Sequence, residues 1–436
     1  MLDFVRNLYA IKGRSITGRG LRATLDAIGR TVNGLGDWNR HTFRSGDALF
    51  DWTVPDEWTL RRATCITDDG RILADTRVHD LHVLNYSGPG RYTGTVGELA
   101  DVGVVRSLAD QPDVLPYLTS YYRPASAITL ADNVVAVERE TRVTVDIDTT
   151  LEPGVLDFAE LVIPGRTDAT VLLSAHCCHP QLANDNLASI AVLMELARHL
   201  AGRDRHFTYR FVFAPGTIGA LAWLATHEEV TARVAAGLVL ACGGDPGALT
   251  YKRSRRGSAT GDGLMEHIVA GGQALVSGWE SGTPRVRQFT PWDYDERQYN
   301  SPAFDLPIGR LTRTPNGEYD AYHTSRDNVD LVCDEGLADT LAALRRWVDG
   351  LEAQRPTPPA PTFGGTDGPL RTDGGGEPQL GKHGLYDAGV PMPAILWCLN
   401  LTDGHHTPAM MAERSGLSAE EVDAALGVLR ERGLVR

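Results

Sequence analysis

From about residue 146 the chain alternates strand-like and helix-like segments, and this rhythm constrains the fold more than any other feature of the sequence. TVLLSAH is a short apolar run of buried-strand length. LASIAVLMELARHLAG brings Ile190, Leu193, Met194 and Ala197 onto one helical face. YRFVFAP is strand again, IGALAWLATH helix and GLVLAC strand. Strands that are apolar throughout, rather than at alternate positions, are those buried on both faces. The pattern therefore predicts an α/β fold with a mostly parallel sheet between helices. In such sheets ligands bind beyond the carboxyl ends of the strands, so the chemistry is expected just after TVLLSA, YRFVF and GLVLA.

The flanking segments differ in character. Residues 1–35 read as a helical opening, with Leu2, Val5, Leu8 and Tyr9, then Leu21, Leu25 and Ile28 after the turn at Gly18 to Gly20. Residues 50–145 carry short β-rich pieces (RRATCI, RILADT, HDLHVLNY) between Gly, Pro and Asp turns, as in a small β-rich module. The Pro- and Gly-rich stretch 355–378 reads as a linker. Beyond it two short helices are expected, with Ser418 as the second N-cap and Gly433 ending it, a helix-turn-helix or winged-helix unit. A length of 436 residues accommodates two or three domains.

Composition excludes several roles. A net charge of −14 argues against coating nucleic acid, which needs clustered Lys and Arg. No apolar run reaches the roughly 18 residues of a membrane span, and the N-terminus lacks the apolar stretch of a secretory signal. The six cysteines, two of them adjacent (Cys177, Cys178), do not form a disulfide framework, so a reducing cytoplasm is expected.

The strongest chemical cluster is AHCCHPQLANDN, at the end of the first buried strand. His176 and His179 lie three apart, and Asp185 lies six beyond His179 in a loop leading into a helix. Neutral imidazole and carboxylate oxygen suit a divalent zinc ion, and Asn184 and Asn186 are placed to orient the carboxylate. The alternative is a polar loop with ordinary histidines. In EYDAYHTSRDNVDLV, His323 stands ahead of a helix with Asp327 and Asn328 nearby. In ACGGDPG, Asp245 follows the third strand, as a ligand or as a turn residue. YKRSRRGS supplies Lys252, Arg253, Arg255 and Arg256, either a solvated basic face or a pocket for a substrate carboxylate or phosphate. WDYDERQY offers Asp293, Asp295 and Glu296, an acidic loop or a holder for a substrate amine, with Asp295 and Glu296 as catalytic candidates. In the C-terminal unit, Glu420, Glu421 and Asp423 stand where a recognition helix would meet phosphates, which favours packing or dimerisation over DNA binding.

The string LLSAHCCHPQLANDNLASIAVLMELARHL resembles the metal-binding segment of co-catalytic zinc aminopeptidases. More narrowly, the chain resembles a bacterial aminopeptidase-like family long labelled a domain of unknown function. LYAIKGRSITGRGLRATL, FDWTVPDEWTLRRA, PYLTSYYRP, YKRSRRG, YHTSRDN and EPQLGKHGLY are among the matching stretches, which run in order from residue 8 to residue 386. The resemblance implies an exopeptidase-like domain from residues 1–48 and 146–350, an inserted β-rich lid at 49–145, a linker at 351–378 and a winged-helix-like domain at 379–436. It implies metal ligands at His176, Asp185, Asp245 and His323, with His179 in the narrower family's own His–Pro element, and adds Tyr322 to the substrate side. Whether His176 or His179 is the closer ligand stays open.

Two departures set the functional expectation. The wider aminopeptidases carry a Glu–Glu pair after the second strand, one the general base and one a metal ligand, and the narrower family keeps only the base. This chain reads Ala214–Pro215–Gly216–Thr217 there. Thr217 in the ligand position favours one zinc per chain over two, and Gly216 removes the proton acceptor. The expected function is a zinc-dependent amide hydrolase on a small aminoacyl or peptide-like substrate, with a non-hydrolytic homologue recruited to biosynthesis as the alternative. Neither nucleic acid nor membrane is an expected partner, and self-association would run through the lid or C-terminal domain.

Overall fold

The structure, a computed structural model, describes residues 1–435 except 273, 277–278, 280–284 and 361–376. Its centre is an eight-stranded sheet built from β1 (Asp37–Arg44), β2 (Val155–Ile163), β3 (Thr170–His176), β4 (Thr208–Ala214), β5 (Val234–Leu240), β6 (Thr250–Lys252), β7 (Arg285–Arg287) and β8 (Ile308–Thr312), in the order β1-β2-β4-β3-β5-β8-β6-β7. The four central strands β4, β3, β5 and β8 run parallel, with His176 paired to Ala214 at the carboxyl edge. Every residue of β3 and β5 is buried, as the unbroken apolar runs require of strands covered on both faces.

Two hydrophobic clusters provide that cover. On one face pack the helices Leu2–Tyr9, Arg19–Thr31, Ser189–Ala201, Thr260–Val269 and Asp334–Gln354; on the other, the helix Ile218–Thr226 with Trp223 and Tyr299. The expected opening helices bury Val5, Leu8, Leu21, Leu25 and Ile28. Not anticipated were β1 and β2, which extend the sheet antiparallel beyond β4. Residues of β1 are exposed or half-buried throughout, so this edge strand carries no apolar periodicity to read.

The inserted module is a four-stranded antiparallel sheet in the order Ile72–Asp75, Glu57–Thr67, Arg142–Glu152, Gly90–Thr95. Its last strand continues to Glu152, past the expected join at 145/146, and three residues later the chain enters β2. At the other end of the main domain, the helix Asp334–Gln354 runs four residues into the expected linker; most of that linker lies outside the described residues. Among its described residues the C-terminal unit has three α-helices, Met392–Leu401, Pro408–Ser415 and Ala419–Glu431, around its own core. Ser418 caps the last one in a box with Glu421, and Gly433 follows its end at φ 70°. Among the described residues, no helix is long and apolar enough to cross a membrane.

Candidate metal centre

Asp185 is fully buried, in an irregular turn over residues 183–188 between β3 and the helix Ser189–Ala201. Three imidazoles face its carboxylate. His176 Nε2 lies 2.8 Å from Oδ1, while His179 Nδ1 and His323 Nε2 lie 3.1 and 3.0 Å from Oδ2. His176 is the last residue of β3, His179 follows in its loop, and His323 arrives from the segment after β8. All three come from the carboxyl edge of the parallel strands, where the sequence places the chemistry.

The turn is held by its neighbours. Asp327 accepts the N–H of Ala183 and Asn184 on Oδ1 (3.0 and 2.6 Å) and that of Asp185 on Oδ2 (3.0 Å). Asn184 Oδ1 accepts from the N–H of Gly244 and Asp245, and its Nδ2 donates to Asp245 Oδ2. Asn186 Nδ2 donates to the Leu240 carbonyl, and its Oδ1 accepts from the Cys242 N–H. The asparagines thus pin the backbone on both sides of Asp185 to the end of β5. With its amide fixed this way, Asn186 presents Nδ2 to His176 Nδ1 at 3.2 Å.

Electrostatics follow from this packing. Burial alone would push the Asp185 carboxyl up, but the imidazoles of His179 and His176 hold it well below the ordinary carboxylate range. Burial lowers His176 and His323 despite Asp185, whereas in His179 the Asp185 charge outweighs burial and raises the ring. Aromatic rings wall the cluster. Tyr294 stacks on His176, and Tyr322 on His323 with centroids 3.9 Å apart. Tyr117, from the inserted module, meets His179 and His323 at 4.8 and 4.9 Å and donates its N–H to the His323 carbonyl. The His323 side chain is 32% exposed against 2% for His176, so the open approach is from the His323 side.

Several sequence-selected residues stand elsewhere. Asp245 is not among the residues around Asp185; its carboxylate is spent on Asn184 Nδ2, the Gly247 N–H and Thr314. In this arrangement it holds Asn184. The basic run forms no anion pocket, because each cation already has an acidic partner. Lys252 meets Asp293 and Glu296; Arg253 meets Glu266; Arg255 meets Asp305 and Asp403; Arg256 meets Asp305. Nor is it a solvated face, since Lys252 and Arg255 are buried. Of the acidic loop, Glu296 and Asp293 pair with Lys252 and Arg310, while Asp295 lies beside Gly216. A Cβ on Gly216 would come within 3.2 Å of Asp295 Oδ1 and 3.4 Å of His176 Cβ. Tyr322 supports His323 by stacking and accepts a hydrogen bond from the Tyr294 hydroxyl.

The sequence reading missed Asp327 as the clamp of the turn, and Tyr117 and Tyr294 as walls. Asp327 and Tyr117 sit in YHTSRDN and PYLTSYYRP, but no periodicity or spacing marks either role. A second His–Glu–His group, His41, Glu160 and His227, lies on the opposite face of the sheet; there Arg210 and Trp223 already engage the glutamate.

The sequence matches the family described as Domain of unknown function (DUF4910) over residues 2–354, and a winged helix-turn-helix family over residues 368–436. A Clostridium acetobutylicum protein named "Putative polysaccharide biosynthesis protein with aminopeptidase-like domain" is 34% identical over 434 residues, covering 98% of this chain and 94% of that one. The crystal structure of a "putative peptidase" from Clostridium acetobutylicum is 33% identical, with a TM-score of 0.74 over 100% of this chain and 95% of that one. A zinc aminopeptidase of Bacillus subtilis shares the fold at 16% identity and a TM-score of 0.55, over 81% of this chain and 94% of that one. A peptidase M28 precursor of Shewanella amazonensis does so at 14% and 0.57, over 82% and 95%.

Proposed function

The chain belongs to the DUF4910 family, joined to a C-terminal winged helix-turn-helix, and from that premise we propose that it is a zinc-dependent, aminopeptidase-like amide hydrolase acting on a small aminoacyl or peptide-like substrate. One observation carries this reading: three imidazoles converge on both oxygens of a single buried carboxylate at the carboxyl edge of the sheet. Nitrogen and carboxylate donors at this spacing suit zinc, and a catalytic site needs only three protein ligands with one position open. Asp185, His323 and one of the pair His176 and His179 would hold the ion. When bound, zinc polarises a substrate carbonyl and lowers the pKa of water at its open position to about 7. The chain's own part is to fix Asp185 through Asn184, Asn186 and Asp327, and to present the site toward His323.

The donor set favours one ion. Asp245 is committed to its hydrogen bonds, and Thr217 offers a hydroxyl where a second ion would need a carboxylate. Protein purified without chelator is expected to carry about one zinc per chain, from the three-ligand-plus-open-position pattern of catalytic sites. Asp185→Ala or His323→Ala should abolish it, whereas Cys177→Ala should leave it nearly intact. Two tightly held ions per chain would sink the single-site reading, and turnover of an aminoacyl amide panel tests the hydrolase itself.

A second reading is favoured by the name of the Clostridium relative, polysaccharide biosynthesis. On this reading the same site serves a biosynthetic pathway and takes a sugar-linked compound. All six cysteines are free thiols, which supports a cytoplasmic setting. For the C-terminal unit the expected result is no sequence-dependent duplex DNA binding at physiological salt. Glu420 and Asp423 are exposed at the start of the last helix and repel phosphate. A nanomolar, sequence-dependent anisotropy shift would overturn that expectation.

A further inference from the structure

We infer that Asp295 supplies the proton-accepting carboxylate which Gly216 cannot, reaching the same place from a different segment of the chain. The inference rests on the hydrolase reading and adds to it the group that moves the proton. Its first support is position. The space into which a side chain at 216 would grow is bounded by Asp295 Oδ1 at 3.2 Å and by His176 Cβ at 3.4 Å. A carboxylate thus stands beside the imidazole cluster although residue 216 carries none.

The second support is that Asp295 has no structural occupation. It is 1% exposed, and neither of its oxygens has a hydrogen-bond partner among the described residues. It precedes the short helix Glu296–Tyr299 but makes no side-chain capping bond to it. Its neighbours are all committed: Asp293 and Glu296 to Lys252 and Arg310, and Arg297 to Glu377. A buried carboxyl without a partner is strongly disfavoured in its charged form. Burial, and then the charge of Glu296, push Asp295 up to about 7. That lies near the optimum for a group that must both take and return a proton at neutral pH.

The step balances without any further reactant. As the oxygen of the attacking water bonds to the substrate carbonyl carbon, Asp295 accepts the water's proton. As the C–N bond breaks, it gives that proton to the leaving nitrogen. Water and amide become acid and amine, and Asp295 ends as it began.

The test moves the carboxylate between the two positions. Asp295→Asn, which keeps the side chain's shape, should retain about one zinc per chain and lose about 10²–10⁴-fold in kcat on an aminoacyl amide. Gly216→Glu alone sets a second carboxylate against Asp295 and should not exceed wild type. Gly216→Glu combined with Asp295→Ala should recover at least about tenfold over Asp295→Ala, the low end of what a positioned base supplies being larger still. A readout independent of turnover is the visible spectrum of the cobalt-substituted protein titrated against pH. Its inflection should move by at least about one unit between wild type and Asp295→Asn, as expected for a charged group lost from beside the site. Superimposable cobalt titrations, or undiminished kcat in a zinc-loaded Asp295→Asn protein, would overturn the inference. A shifted titration in a wild-type protein that hydrolyses no amide would instead overturn the hydrolase reading, leaving Asp295 as the proton acceptor of a different reaction.

Discussion

Replacing Asp327 by alanine is expected to cost about 2–6 kcal/mol of folding stability, at about 1–3 kcal/mol for each buried donor left without an acceptor. Among the described residues, the N–H groups of Asn184 and Asp185 bond only to its carboxylate, while that of Ala183 keeps the Asp327 carbonyl as an alternative acceptor. Two buried donors are therefore orphaned outright. They lie in the turn that carries the candidate ligand, so the metal should be lost along with the stability. Asp185→Ala is the contrast, since it removes the ligand but leaves the Asp327 clamp on the backbone. That variant should stay folded and metal-free. Denaturant unfolding and zinc content measured on both proteins separate the two roles. A loss under about 1 kcal/mol in Asp327→Ala, less than one orphaned donor should cost, with zinc retained, would show that the turn is held by Asn184 and Asn186 instead.

The contrast also explains what was legible in the sequence. His176 and Asp185 stood out because strand ends in a parallel sheet announce themselves through apolar runs, and polar residues just beyond them have few structural duties. His323 carries no such signal and became a candidate ligand only with the family resemblance. Asp327 was seen only as a neighbour of His323. Its role depends on a loop 142 residues away in sequence folding back onto its carboxylate, and no local pattern encodes that meeting. Tyr117 was invisible for the same reason, since it enters from the inserted module through backbone contacts at Leu115–Ser325 and Tyr117–His323. The loss of a base at Gly216 was readable, and so were Asp295 and Glu296 as catalytic candidates, but nothing in the sequence separates the two. The structure does, with Asp293 and Glu296 paired to Lys252 and Arg310 and Asp295 alone left over. The basic run misled in the opposite direction. Sequence spacing reveals clustered cations but not the acidic residues that cancel them, such as Asp305 and Asp403, which come from 50 and 148 positions beyond Arg255.

That cancellation leads to the second large effect. Arg255→Ala is expected to destabilise the protein by about 3–5 kcal/mol, the usual cost of removing one partner from a buried ion pair. Arg255 is 6% exposed and bridges the main domain to the C-terminal unit. Its guanidinium meets Asp305 on one side, and on the other Asp403 together with the side chain and carbonyl of Asn400. Its own backbone completes the joint, accepting from Arg414 through the carbonyl and donating to Asn300 through the N–H. Without the side chain, Asp403 keeps His406 and Asp305 keeps Arg256, yet both carboxylates lose their principal counter-charge in a buried setting. The metal cluster makes none of these contacts, so zinc content should be unchanged. The damage should fall on the joint, and the C-terminal unit should become susceptible to limited proteolysis under conditions where the wild-type unit is protected. Arg255→Lys retains the charge but cannot reach Asp305, Asp403 and Asn400 at once, so it should recover only part of the loss. If Arg255→Ala costs less than about 1 kcal/mol, the scale of a surface pair, and protects the C-terminal unit as well as wild type, then docking rests on the other joint. There Asp51 holds Lys382 and His383, and Trp52 donates to the Glu377 carbonyl.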